Sequence, residues 1–66
     1  MNVTCEVVGG DTHDLDLDPD ATYGDVLRAV GLSTHEASVL VDDRPVPEDS
    51  PVETERVRVL RLIKGG

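Results

Sequence analysis

Residues 55–66 read ERVRVLRLIKGG. Val57 and Val59 alternate with Arg56 and Arg58, the two-residue period of a strand with one apolar and one wet face. The run is rich in β-branched residues and is the longest strand pattern in the chain. It then enters two glycines, the residue type that orders at the highest entropic cost.

Working back from it, Ser38 to Val41 form a shorter strand pattern. Asp42 and Asp43 mark a turn, and Arg44 to Val46 form a short extended piece. Pro45, Pro47 and Pro51 rule out a long strand here and imply a rigid loop. Further upstream, Tyr23, Val26, Leu27 and Val30 fall at helical spacing and form one apolar stripe. Thr22 stands three residues before Asp25, a capping box with Asp in place of the usual Glu. Gly31 suits the position just past a helix end. The spacing predicts a helix over residues 23–30. At the start, Val3, Cys5 and Val7 alternate with Asn2, Thr4 and Glu6. His13, Leu15 and Leu17 alternate with Asp14, Asp16 and Asp18. Gly9, Gly10 and Asp11 between them signal a tight turn, so the two runs read as a hairpin, ended by Pro19.

The order is hairpin, helix, strand, irregular loop, strand. One helix covers one face of a small mixed sheet to make a single core. In that arrangement the first and last strands lie side by side in the middle of the sheet, whose other face is open. Parity then assigns the faces. Val57, Val59, Val39 and Val41 point inward. Leu40, Leu60 and Leu62 point outward, beside Arg56 and Arg58. Leucines clustered next to the end of the chain suggest a docking patch.

The chain has 66 residues and a formal net charge of −8. That length is one small domain with marginal stability. The acidity argues against binding nucleic acid or an anionic membrane directly. The acidity fits either attraction of a basic partner or a solubility device; scattered Asp and a preference for Arg over Lys favour the second, a halophile's surface, whose self-repulsion high salt screens. The single cysteine, Cys5, excludes an internal disulfide, and no Cys/His cluster has metal-ligand spacing. No signal peptide or membrane span is visible, so a cytoplasmic location is the simplest expectation. Cys5 sits on an inward face, where thiols are inert. Gly9 and Gly10 lack the lysine or fingerprint of a phosphate loop. His35 reads as a loop residue, and the Asp14–Asp16–Asp18 face as solvated.

What remains is the tail. Gly65 and Gly66 carry no side chains to block a narrow channel, so such an end can thread into another enzyme's active site. A carboxylate is a poor acyl donor, whereas its mixed anhydride with AMP is a good one. A thiolate, a sulfide or a lysine amine can then attack Gly66.

Taken together, the element order, THEASVLVDDRPVPED (residues 34–49) and RVRVLRLIKGG (residues 56–66) resemble the ubiquitin-like β-grasp family over the whole chain. Within it the likeness is to the small archaeal modifier proteins of haloarchaeal type, related to the small sulfur carriers that end in Gly-Gly. The resemblance implies an α+β fold with a mixed sheet of four or five strands. It implies a β-grasp domain over residues 1–64 and an exposed Gly65–Gly66 tail. It also implies a monomer that is no enzyme and binds no cofactor. A ubiquitin-activating-type enzyme would use ATP to adenylate Gly66. The tail would then form an isopeptide bond with a target lysine, or become a thiocarboxylate that donates sulfur, for example to tRNA thiouridine. Implied partners are that activating enzyme, acceptor lysines, sulfurtransferases or tRNA-thiolation enzymes, and a desampylating-type metalloprotease. Leu40 and Leu60 match the places of ubiquitin's exposed apolar patch, and Leu62 and Arg58 adjoin them. Ubiquitin's many lysines are missing. Chains through this protein have Lys64 or the N-terminus as acceptors, and Lys64 abuts the tail. A dedicated sulfur carrier without conjugation, or a plain β-grasp interaction domain, are the competing readings.

Overall fold

The computed structural model describes residues 1–62; residues 63–66, including Lys64, Gly65 and Gly66, lie outside the described residues. Five strands and one helix follow in the order β1 (Asn2–Val7), β2 (Thr12–Asp16), α1 (Tyr23–Ala29), β3 (Ala37–Val41), β4 (Arg44–Pro45) and β5 (Arg56–Arg61). They form one mixed sheet ordered β2-β1-β5-β3-β4. β1 and β5 pair in parallel at its centre, and every other pairing is antiparallel. The late strand thus finds its partners at both earlier positions, β1 and β3. Among the described residues β5 has six residues, as does β1; the end of the predicted pattern, residues 63 and 64, lies outside the described residues.

Helix α1 is short and held by both ends. At its start the Thr22 N–H donates to Asp25 Oδ2 at 2.9 Å, which satisfies a backbone donor that the helix leaves free. At its end Gly31 has φ +79°. The Gly31 N–H donates to the Arg28 carbonyl and the Leu32 N–H to the Leu27 carbonyl, the two bonds of a Schellman motif. The helix therefore closes at Ala29, one residue before the predicted Val30, which becomes the C-cap.

The proline-rich loop is pinned to the start of this helix. Tyr23 N–H donates to the Ser50 carbonyl, Gly24 N–H to that of Glu48, and Val52 N–H to that of Ala21. Glycine at 24 eases the approach: a Cβ there would stand 3.3 Å from the Glu48 carbonyl oxygen, a tight contact. The β3–β4 turn has φ 52° at Asp42 and 65° at Asp43. Positive φ at both central positions is the hairpin turn whose twist matches its strands, and Asp tolerates it better than most residues.

The core lies between α1 and one face of the sheet. Val3, Cys5 and Val7 of β1, Ala37 and Val39 of β3, and Val57 and Val59 of β5 meet Tyr23, Val26 and Leu27 of α1, with Val52 from the loop. Leu15, Leu17, Val30, Leu32, Val41 and Val46 close its rim, each partly buried. No charged or polar residue is buried among the described residues. The single covered face leaves the opposite face of the sheet as the surface on which function is to be sought.

Candidate functional site at the open sheet face

Residues directly opposite each other on paired strands share a face. Register therefore maps the open face. Glu6 pairs with Arg58 and Thr4 with Arg56. Leu40 pairs with Arg58 and Ser38 with Leu60, and Leu40 also pairs with Pro45. On the far side Thr4 pairs with Asp14 and Asn2 with Asp16. The face thus divides into an acidic half over β1 and β2 and a half over β5, β3 and β4 that carries the leucines.

Leu60 is 41% exposed and Leu62 53%, whereas Val57 and Val59 on the alternate positions of the same strand are buried. The parity read from the sequence is the parity of the strand. Leu40 lies on the same face but is half-buried rather than fully exposed, flanked by its cross-strand partners Arg58 and Pro45. The Leu62 N–H donates to the Glu36 carbonyl at 2.7 Å, so the β3–β5 ladder extends one step past Arg61.

Arg58 is not a free cation. Its Nε lies 3.5 Å from Glu6 Oε1 and its Nη1 3.4 Å from Asp43 Oδ1. All three side chains are about half exposed or more, so solvent screens these pairs and they add little stability. Their effect is positional. The guanidinium is held between β1 and the β3–β4 turn, across the strand that carries Leu60. Arg56 makes no ion pair among the described residues.

Sequence reasoning missed Val8. It is 42% exposed, and its N–H donates to the Val59 carbonyl at 2.9 Å. That bond carries the parallel β1–β5 ladder past Val7 and brings Val8 to the same end of the sheet as Leu60. Its signal was the second valine of a strand running into Gly9, an apolar residue on the wet parity of β1.

Other candidates fall away on geometry. Cys5 is fully buried, and burial pushes its thiol up from the ordinary cysteine value. Asp14 and Asp16 are exposed, with the Thr4 hydroxyl 3.4 Å from Asp14. His35 lies exposed in the turn before β3. His13 is half-buried and pairs with Cys5 across the hairpin. Among the described residues no group of three His, Cys, Asp or Glu side chains is placed to hold a metal. Of the tail positions, Gly65 and Gly66 lie outside the described residues, as does Lys64.

Comparison with known proteins gives this surface its setting. A family model for small archaeal modifier protein 2 matches residues 1–63. The chain is 65% identical over 66 residues, and over all of both chains, to small archaeal modifier protein 2 of Haloferax volcanii. The chain belongs to the small archaeal modifier protein 2 family. An uncharacterised protein of Archaeoglobus fulgidus is 30% identical over 67 residues, again across both whole chains. The crystal structure of the H. volcanii small archaeal modifier protein 2 superposes with a TM-score of 0.76 at 64% identity, covering 97% of each chain. The five-stranded mixed sheet with one helix is the β-grasp fold of this modifier family. Membership places the chain among modifier proteins rather than among enzymes. No helix of the described residues is long and apolar enough to cross a membrane.

Proposed function

We propose that this member of the small archaeal modifier family works through its C-terminal glycine, both as a protein modifier and as a sulfur carrier. An activating enzyme adenylates Gly66: a carboxylate oxygen attacks the α-phosphorus of ATP and pyrophosphate leaves. In conjugation, an acceptor lysine Nζ attacks the Gly66 carbonyl carbon, an amide forms, and AMP leaves. In sulfur transfer, a sulfur nucleophile displaces AMP and the tail becomes a thiocarboxylate, for use by a sulfurtransferase such as one acting in tRNA thiolation. A desampylating-type metalloprotease would reverse the isopeptide bond. Residues 1–64 form the body that enzymes grip, and residues 65–66 the part that enters the ATP site. ATP is the activating enzyme's substrate and is not held by this chain.

The observation that carries the reading is the anchoring of β5. This strand is central to the sheet, and its ladder continues to the Leu62–Glu36 hydrogen bond. Four residues of sequence, 63–66, follow that fixed point. A rigid body so close to Gly66 lets an enzyme place the tail by gripping the fold. The grip we assign to the open face: Leu60, Leu62, Val8 and the half-buried Leu40, with Arg58 as the cross-strand partner of Leu40. Glycines offer few contacts, so most affinity has to come from such apolar side chains.

The test is intact mass spectrometry after incubation with the activating enzyme, ATP and a sulfur source. A product with one sulfur in place of one oxygen at Gly66 is expected. Absence of both that product and the adenylate would refute the carrier half. For conjugation, trypsin cuts after Lys64 and leaves a Gly-Gly remnant on acceptor lysines. Remnants that do not depend on Gly66 would refute the modifier half. A thiocarboxylate with no remnants anywhere would leave a dedicated sulfur carrier.

A further inference from the structure

We infer that the folded body of this protein is exempt from its own modification, so that acceptor lysines receive single copies and not chains. The inference rests on the reading of Gly66 as the acyl donor. It follows from where this chain keeps its nucleophiles.

Acyl transfer from an adenylated Gly66 needs an accessible amine with a free lone pair. The chain carries its cations at Arg28, Arg44, Arg56, Arg58, Arg61 and Lys64. All five arginines are exposed. Each is a guanidinium, which does not deprotonate in proteins and is no acyl acceptor. Among the described residues the other strong nucleophile, Cys5, is fully buried under α1.

The α-amine of Met1 is engaged. It donates to the Leu17 carbonyl at 2.9 Å and lies 3.5 Å from Asp16 Oδ1. The Leu17 N–H donates back to the Met1 carbonyl at 2.8 Å. These bonds close the open end of the β1–β2 hairpin. Acylation would have to pull the amine out of that pairing and seat a second protein at the sheet edge.

Lys64 defeats itself in either order of events. It stands two residues from Gly66, a span of at most about 7 Å of extended chain. The body has a radius of gyration of 10.9 Å. If a copy is already attached through Gly66, a second body joined at Lys64 must share space with the first body and with the target. If Lys64 is modified first, the added body stands at the tail and keeps it out of the activating enzyme's channel. Such a copy is a dead end rather than a link.

The experiment uses the full chain, its activating enzyme, ATP and a lysine-rich acceptor protein. Wild type is compared with Arg44→Lys, which puts one amine on the exposed β4 edge, at the position paired with Val41 and so on the parity opposite to Leu40. Pyrophosphate exchange is read in the same samples, and linkages are mapped by mass spectrometry. Expected are equal exchange for both proteins, single copies on acceptor lysines for wild type, and copy-to-copy products linked at position 44 only for Arg44→Lys. Wild-type copies linked through the Met1 amine or Lys64 would overturn the inference while leaving the Gly66 reading intact. An Arg44→Lys protein that stays unlinked would overturn it too, by showing that something other than missing amines protects the body. No exchange in either protein would refute the Gly66 reading and take the inference with it.

Discussion

The sharpest prediction sets two residues of one strand against each other. Leu60→Asp is expected to leave the fold intact and weaken adenylation of Gly66, whereas Val57→Asp is expected to unfold the protein. Val57 is 5% exposed and faces the helix, and Leu60 is 41% exposed on the open face. At 66 residues, total stability is about 3–10 kcal/mol at the usual 0.05–0.15 kcal/mol per residue. Removing a buried valine forfeits about 1.5–3 kcal/mol. The carboxylate put in its place faces the Cys5 side chain across the strand and the Val, Leu, Ala and Tyr side chains of the core, and adds a desolvation cost of several kcal/mol. The sum reaches the whole stability. At Leu60 the change costs about 1 kcal/mol or less, the scale of strand propensity at an exposed site. Its effect falls on recognition. A leucine buried in an interface is worth about 1.5–3 kcal/mol, or roughly 10- to 150-fold in affinity. The assays are circular dichroism for the fold and ATP–pyrophosphate exchange at sub-saturating protein for activation. A folded Leu60→Asp protein that is adenylated as well as wild type would refute the open face as the enzyme's grip. Val8→Asp, on the same end of the sheet, should behave like Leu60→Asp. Leu40→Asp should act more weakly, because Leu40 is half-buried and farther from the tail.

Three further outcomes follow from the charges and the core. The melting temperature should rise as salt goes from about 0.01 M to 1 M, because the Debye length falls from about 30 Å to about 3 Å and the net charge of −8 ceases to repel itself; a flat profile would mean that local pairing already neutralises it. Asp25, whose carboxylate is held below its ordinary value first by the Thr22 N–H and then by Arg28, adds stability that is present above the unfolded aspartate value and lost as pH falls through the lower folded one. Asp25→Asn should therefore be less stable than wild type at neutral pH, with the gap closing in acid; thermal melts at pH 7 and pH 2 check this, and a gap that persists would assign the loss to packing. Cys5, fully buried with its thiol pushed up by desolvation, should label with iodoacetamide only as fast as the protein unfolds. Rapid labelling of the native state would show that the sheet opens locally at β1.

By itself the sequence determined what is decided within a few residues of chain. The two-residue alternation of Val57 and Val59 against Arg58 and Leu60 set which face of β5 is wet. Thr22, Asp25 and Gly31 set where the helix starts and stops, to within one residue. The glycine pair at 65–66 carries the reactive end we propose, and it does so as sequence alone, since those residues lie outside the described structure. Tertiary structure decided what depends on partners far apart in the chain. Glu6 and Arg58 are 52 residues apart and meet because β1 and β5 pair in parallel. That pairing turned Arg58 from a free cation into a held one and added Val8 to the apolar surface. The β3–β5 and β3–β4 pairings left Leu40 half-buried beside Arg58 and Pro45. Side-chain parity is a property of one strand and survives any choice of neighbours. Which strand lies next to which is fixed only when one helix must cover one face and close a single core.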